Sequence, residues 1–125
     1  MKDISMQELK NTATQMRMKV IDMIYKAQSG HPGGSLSAAD FVTACYFKYM
    51  NLDPKNPRWE DRDRMVLSKG HAAPALYAAL AERGFFPVED LKTLRKIGSY
   101  LQGHPNMNTV PGVDMSTGSL GQGIS

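Results

Sequence analysis

Residues 65–80, MVLSKGHAAPALYAAL, change from an apolar run to a helix-forming stretch across a short turn. The run Met65–Leu67 is short and apolar throughout, which is typical of a strand buried on both faces in a parallel sheet. Pro74 suits the first turn of a helix, which we expect to run to Arg83 and to stop at Gly84. This is the one convincing strand that the sequence predicts, and a loop joins it to the helix that follows.

Two further helices are predicted before this unit. The first begins at a capping box formed by Ser5 and Glu8, continues with apolar residues at helical spacing, and is expected to end at Gly30. The second is expected from a further capping box, Ser37 and Asp40, after the loop GHPGGS. The side chains that we expect on its buried face are Phe41, Val42, Cys45, Tyr46 and Tyr49.

The remaining stretches are less regular. The charged run WEDRDR, residues 59–64, is expected to be solvated, and a short helix over about residues 88–96 is followed by a loop from Gly98 onward. Ser119 and Gln122 are spaced as a third capping box, so a helix should begin near the last printed residues. Nucleating a helix costs free energy that only its propagation offsets, and a single strand makes no sheet. We therefore expect residues 1–125 to be the front part of a larger domain.

Composition and charge exclude several classes of protein. The net charge of +3, from 15 basic and 12 acidic residues, is too small and too dispersed for a nucleic-acid-binding protein. No apolar run approaches the roughly 18 residues of a membrane span, and the start MKDISMQELK has no apolar signal core. The single cysteine, Cys45, cannot form an internal disulfide, which favours a reducing, cytoplasmic location, and we expect it to be a small core residue.

Each histidine directly follows a glycine, in the pairs Gly30-His31, Gly70-His71 and Gly103-His104. Glycine permits a sharp turn and a close approach of a ligand to the main chain, and a neutral imidazole both donates and accepts hydrogen bonds. His31 and His71 stand just before predicted helix N-termini, which attract anions such as phosphate, and Lys69 is close by. These pairs indicate a ligand site. The alternatives are histidines that only cap turns, and a zinc site, for which the long spacings offer no short-range ligand pair.

The stretch GSLGQG, residues 118–123, is a glycine-rich loop that enters the last predicted helix, so its backbone can hold a phosphate or a planar ring. Its spacing does not match the G-x-G-x-x-G fingerprint of dinucleotide-binding folds. Ser119 is not in a nucleophile elbow, because Thr117 stands where that motif has its first glycine. A simple turn followed by a helix cap is the alternative.

Four stretches together resemble the N-terminal part of transketolase. They are GHPGGSLSAAD (30–40), DRDRMVLSKGHAAPALYAAL (61–80), GSYLQGHP (98–105) and VPGVDMSTGSLGQGIS (110–125), in that family's order and spacing over nearly the whole chain. Related thiamine diphosphate enzymes, such as deoxyxylulose phosphate synthase, are similar but less close. The form GSLGQG also resembles the split transketolases, in which the N- and C-terminal halves are separate chains.

The resemblance implies an α/β fold, the front part of a thiamine-diphosphate-binding domain with a parallel sheet flanked by helices. It also implies the transfer of a two-carbon ketol unit from a ketose phosphate to an aldose. It implies that His31 and His104 are catalytic and substrate-binding residues that contact the sugar, and that His71 binds the cofactor diphosphate beside the substrate. The implied cofactors are thiamine diphosphate and Mg²⁺. The implied partners are sugar phosphates and a C-terminal transketolase half or subunit, in a homo- or hetero-oligomer. The residues that match the loop meeting the cofactor rings, largely through backbone groups, are Gly118, Ser119 and Leu120.

The chain departs from the family pattern in two ways. Position 119 is serine where many full-length members have proline, a change that a backbone contact tolerates. The family's metal-binding Gly-Asp-Gly segment, its later asparagine, and the glutamate that activates the aminopyrimidine have no match in the 125 residues. We therefore expect the chain alone to bind the cofactor weakly and to be inactive. The open alternatives are another thiamine diphosphate sugar-phosphate synthase or specialised transketolase, and a non-catalytic interaction module of the same fold.

Overall fold

The computed structural model describes residues 3–119, and the regular structure in this range is helical. Helix α1 spans Met6–Ala27, α2 spans Pro32–Ala44 and continues into a π-helical turn at Cys45–Tyr49, and α3 spans Ala73–Arg83. The two 3₁₀ helices, before and after α3, are Gly70–Ala72 and Val88–Thr93. The three α-helices pack on one another around a shared apolar core. None of the helices within residues 3–119 has the length and apolar character needed to cross a membrane.

Helix α1 begins as its sequence predicts. The Ser5 side chain accepts a hydrogen bond from the Glu8 N–H at 3.1 Å, and Glu8 Oε2 accepts one from the Ser5 N–H at 2.9 Å. The expected end at Gly30 is wrong, because the helix stops earlier, at Gln28, which has the left-handed φ of 55°. The N–H and the side-chain amide of Gln28 both donate to the Tyr25 carbonyl, and this local cap ends the helix. The side chains that α1 buries are Ala13, Met16, Val20 and Met23.

Helix α2 begins earlier than the sequence predicts. Pro32 occupies its first turn, where the fixed φ of proline suits a helix, so the second capping box does not form. Ser37 lies inside the helix, where its hydroxyl donates to the Gly34 carbonyl at 3.0 Å. Asp40 instead forms an ion pair with Arg17 of α1, at 2.6 Å. The local spacing of Ser37 and Asp40 was therefore misleading.

The buried face of α2 also differs from the expectation. Val42 and Tyr46 are buried as predicted and Cys45 is half-buried, whereas Phe41 and Tyr49 are 65% and 67% exposed. The buried residues recur at helical spacing, but on a face that is shifted by one position from the predicted one, so Phe41 and Tyr49 lie outside it. The other residues that α2 and the π-helical turn bury are Ser35, Ala38, Ala39, Thr43 and Phe47.

The predicted strand at Met65–Leu67 is absent from the described part of the chain. These residues have no regular secondary structure, and Val66 is 54% exposed. The Met65 N–H donates to Asp114 Oδ2 at 2.9 Å rather than to a neighbouring strand. Backbone hydrogen bonds to a neighbour define a strand, so an apolar segment becomes one only when that neighbour is present. The parallel sheet stays a prediction.

Helix α3 is the centre of the core. It has Pro74 in its first turn and ends at Gly84, whose φ of 104° lies in the left-handed region, as the sequence predicts. Every residue from Ala73 to Ala81 is buried. Because protein covers α3 on all sides, the helix holds the His71 loop at its N-terminus in place. The short helix expected after it is a 3₁₀ helix limited to Val88–Thr93.

Candidate functional site

His31 and His71 lie next to each other although they are far apart in the sequence. Their ring centroids are 5.2 Å apart and the ring planes form an angle of 73°. His31 immediately precedes α2, and His71 lies in the 3₁₀ helix that leads into α3. A methyl group placed on Gly34, in the first turn of α2, would lie 3.0 Å from His71 Nε2. The N-termini of α2 and α3 therefore meet at these two imidazoles.

His104 joins the two other histidines through Gly118. A methyl group placed on Gly118 would lie 3.2 Å from both Cγ and Cδ2 of the His104 ring. Gly118 in turn contacts Gly70, because a methyl group placed on Gly70 would lie 2.7 Å from the Gly118 nitrogen. The three Gly-His loops and the start of the glycine-rich loop are thus brought together by successive contacts. We call His31, His71, His104 and Gly118 the histidine cluster.

Two glycines that precede histidines have a clear steric reason. At Gly70 a side chain would meet the Gly118 nitrogen and the Thr117 carbonyl carbon, both at 2.7 Å, and neither backbone atom can move as a side chain can. Gly30 has a φ of 144°, which side chains rarely adopt, and a methyl group there would lie 3.0 Å from Ile24 Cγ1. These glycines therefore allow the loops that carry His31 and His71 to pack closely.

Tyr77 holds the loop that carries His104. Its hydroxyl donates to the Gln102 carbonyl at 2.7 Å, with the His104 carbonyl at 3.3 Å as a second acceptor. Burial in the core raises the pKa of Tyr77, which keeps the phenol a protonated donor at neutral pH. The sequence analysis did not single out Tyr77. The signal was available, since a buried tyrosine among alanines usually needs a partner for its hydroxyl.

Lys69 supports the His71 loop from the side of α2. Its Nζ donates to the Gly34 carbonyl at 3.0 Å and to Ser37 Oγ at 2.8 Å. These bonds fasten the loop to the N-terminal part of α2. The expected contribution of Lys69 to phosphate binding stays a prediction.

A buried ion pair anchors the two segments that lead into the cluster. Arg62 Nε donates to Asp114 Oδ1 at 3.0 Å, and the two side chains are 10% and 7% exposed. Because Asp114 also accepts the Met65 N–H, it fastens the segment before His71 to the segment before Gly118. The expectation that the WEDRDR stretch is solvated is therefore wrong at Arg62, whose partner lies far along the chain.

Two buried polar atoms at the cluster, His71 Nδ1 and Thr117 Oγ1, have no hydrogen-bond partner within residues 3–119. Buried polar groups in native proteins are nearly always hydrogen-bonded. A ligand that carries both acceptors and donors would satisfy them, so these two atoms fit a polar ligand bound at the cluster. Ser119 is exposed at the edge of the cluster, and Leu120 lies outside the described residues.

The described residues contain no metal site. Within residues 3–119 no three His, Cys, Asp or Glu side chains are placed so that they could hold a metal ion. The zinc alternative therefore finds no support in this part of the chain. The histidine cluster can donate and accept hydrogen bonds and can move a proton, but it has no set of metal ligands.

Comparison with known proteins identifies the family. The family model for the transketolase thiamine diphosphate binding domain matches residues 8–125. The chain belongs to this transketolase family. Among curated relatives, the 6-deoxy-6-sulfo-D-fructose transketolase subunit SqwG of Clostridium sp. (strain MSTE9) is 51% identical over 94% of this chain and 43% of its own length. One of the subunits of the apulose-4-phosphate transketolase of Phocaeicola vulgatus is 45% identical over 87% of this chain and 38% of its own length.

A solved transketolase structure has the same fold as the described residues. The enzyme from Campylobacter jejuni superposes with a TM-score of 0.87 and 41% identity, covering 97% of this chain and 19% of that one. This chain therefore has the fold of a transketolase thiamine-diphosphate-binding domain, although the expected sheet is not seen within residues 3–119. The chain spans less than half the length of the two transketolase subunits that it matches.

Proposed function

We propose that this chain supplies the diphosphate side of a transketolase-type active site, which transfers a two-carbon ketol unit between a ketose phosphate and an aldose phosphate. The observation that supports this most directly is the histidine cluster, in which three separate Gly-His loops are linked by successive contacts through Gly70 and Gly118. The relatives are longer than this chain, so further segments complete the site. The proposed partner is a C-terminal transketolase half or subunit.

His31 and His104 are the proposed sugar-binding, catalytic residues. Both side chains are exposed, and His31 makes no capping hydrogen bond to α2, so a substrate can reach both rings. A neutral imidazole offers one donor and one acceptor, which suits a ketose carbonyl and the hydroxyl beside it. In this role the two rings would orient the sugar and move protons at its oxygens.

His71, Gly118, Ser119 and Leu120 are the proposed cofactor-binding residues. The unpartnered His71 Nδ1 and Thr117 Oγ1 fit a group that carries phosphate oxygens and an aminopyrimidine. When bound, thiamine diphosphate supplies a carbon nucleophile and an electron sink for the ketol transfer. In this proposal His71 would hold the diphosphate and the Gly118 backbone would contact the cofactor rings. The ligands of Mg²⁺ are proposed to come from the completing segments.

This division of the site predicts how the chain behaves alone. It should bind thiamine diphosphate weakly and catalyse no ketol transfer, since the proposed metal ligands are not part of it. Isothermal titration calorimetry with thiamine diphosphate and Mg²⁺ measures the affinity directly. Micromolar binding by the 125-residue chain would contradict the proposed division.

Complementation tests the function itself. The chain, combined with the remaining portion of a split transketolase, should catalyse ketol transfer in a coupled assay. His31→Ala should lower kcat/KM about 10- to 100-fold, the equivalent of a strong substrate hydrogen bond of about 1.5–3 kcal/mol, while sedimentation shows unchanged assembly. His31→Gln, which keeps a donor and an acceptor, should recover part of that loss. A complex that assembles but transfers nothing would instead support the non-catalytic interaction module.

A specialised transketolase is the second candidate. The observation in its favour is that two similar relatives, at 51% and 45% identity, are named for 6-deoxy-6-sulfo-D-fructose and apulose 4-phosphate. A ketose panel that includes both compounds and fructose 6-phosphate separates the candidates in the complemented enzyme. A kcat/KM for one specialised sugar that exceeds the others by about 100-fold or more would favour this second function.

A further inference from the structure

Helix α3 connects two loops of the histidine cluster. It follows directly on the 3₁₀ helix that carries His71, and Tyr77 lies one turn into it. Every residue from Ala73 to Ala81 is buried, and Tyr77 has no exposed surface. Protein interiors are close-packed, so a helix that is covered on all sides keeps its residues at fixed positions relative to one another. The Tyr77 hydroxyl therefore has a fixed position relative to the His71 loop.

This hydroxyl bonds the backbone of the loop that carries His104. It donates to the Gln102 carbonyl at 2.7 Å, with the His104 carbonyl at 3.3 Å as a second acceptor. Within residues 3–119 these are the hydrogen bonds that the backbone of residues 102–104 makes to other residues. One side chain of α3 thus holds the last part of this loop.

The position of the His104 ring depends on this hold. The residue is exposed, so neighbouring side chains do not enclose its imidazole. The ring packs on one side against Gly118, where an added methyl group would lie 3.2 Å from His104 Cγ. Because such a contact orients the ring only in part, the hold on its backbone matters. A misplacement of about 1 Å that arises away from the reacting atoms can slow an enzyme about 100-fold.

We propose that Tyr77 is a positioning residue, whose hydroxyl sets the place of His104 relative to His71 and so keeps the sugar side and the cofactor side of the site in register. This role rests on the proposed function, which assigns His104 to the sugar and His71 to the cofactor. Tyr77 is buried and acts only through the backbone of the loop. Phenylalanine would fill the same core space and would leave the Gln102 carbonyl without its donor.

The kinetic test uses the Tyr77→Phe variant in the complemented enzyme. Its kcat/KM for fructose 6-phosphate should fall about 10- to 100-fold, because His104 loses its fixed place. The apparent Kd for thiamine diphosphate should stay within about twofold, since the His71 loop is not touched. The matched control is Tyr100→Phe, which removes a hydroxyl that donates to Asp90 from the same segment of the chain. It should leave kcat/KM within about twofold.

A double-mutant cycle tests whether Tyr77 acts through His104. The variant Tyr77→Phe/His104→Ala should have the same kcat/KM as His104→Ala alone, because no imidazole is left to be positioned. Losses that multiply would show that Tyr77 acts by another route and would overturn the proposal. An equal loss in Tyr100→Phe, an unchanged kcat/KM in Tyr77→Phe, or a Tyr77→Phe chain that no longer assembles would each overturn it as well.

A measurement without turnover distinguishes failure of this proposal from failure of the proposed function. If the wild-type complex transfers no ketol unit, the imidazole NMR signals of the ¹⁵N-histidine-labelled complex are compared between wild type and Tyr77→Phe. The His104 signals should shift or broaden while those of His71 keep their positions, and this result supports the positioning role independently of ketol transfer. No change at His104, or an equal change at His71, overturns it.

Discussion

Replacing Asp114 with asparagine should destabilise the protein far more than the same change at Asp40, although both carboxylates pair with an arginine. In the Arg62–Asp114 pair the side chains are 10% and 7% exposed, and Asp114 also accepts the Met65 N–H at 2.9 Å. In the Arg17–Asp40 pair the side chains are 39% and 80% exposed. The two substitutions therefore compare the same chemistry in a buried and in an exposed position.

The expected magnitudes follow from burial. Removing one partner of a buried ion pair leaves the other charge uncompensated and costs about 3–5 kcal/mol. Because asparagine keeps one oxygen that can still accept a hydrogen bond, we expect Asp114→Asn to cost about 2–4 kcal/mol. An exposed pair contributes roughly 0–1 kcal/mol, which is the loss expected for Asp40→Asn.

Urea unfolding followed by far-UV circular dichroism measures both losses as a shift in midpoint at constant slope. The double variant Arg62→Met/Asp114→Leu removes both charges and should recover part of the stability that Asp114→Asn loses, because no buried charge remains unpaired. A loss at Asp114 of less than about 1 kcal/mol, or one equal to that at Asp40, would refute the argument that this buried pair anchors the cluster.

Three further predictions concern local features. Gly70→Ala should disrupt the cluster, because the added methyl group would lie 2.7 Å from the Gly118 nitrogen. The control Gly33→Ala, where a methyl group meets nothing within 4 Å, should change stability by less than about 1 kcal/mol. Equal thermal unfolding temperatures for the two variants would contradict this packing. Burial raises the pKa of Cys45, so iodoacetamide should alkylate it more slowly in the folded than in the urea-unfolded protein, and equal rates would count against its placement. Hydrogen bonds with Ser5 lower the pKa of Glu8, so this carboxylate stabilises the fold above the pKa of an unfolded glutamate and loses that effect as the pH falls through its folded pKa. Glu8→Gln should therefore flatten the acid limb of the stability–pH curve, and an unchanged limb would show that the capping box does not act this way.

Local features of the chain were predictable because their causes lie within a few residues. The Ser5 and Glu8 capping box is complete within one turn of helix, and Pro74 and Gly84 mark the start and the end of α3 through their own backbone preferences. The resemblance carried by the Gly-His pairs and the terminal glycines placed the chain in its family, which the family comparison confirms. The convergence of the histidines was also a hypothesis from the sequence, because three Gly-His loops that serve one ligand must lie close together.

Tertiary structure decided the features whose causes are separated along the chain. Helix α2 exposes Phe41 because its packing against α1 and α3 decides which of two neighbouring faces is buried, and that face is shifted by one position from the predicted one. Asp114 and Arg62 are charged residues of the kind that usually faces solvent. They form a buried ion pair only because the fold brings their two segments together. Burial and long-range pairing depend on which distant groups meet in space, whereas caps, turns and motifs depend on neighbours. The sequence by itself therefore determined the family and the residues available to the site, and the fold decided which side chains support them.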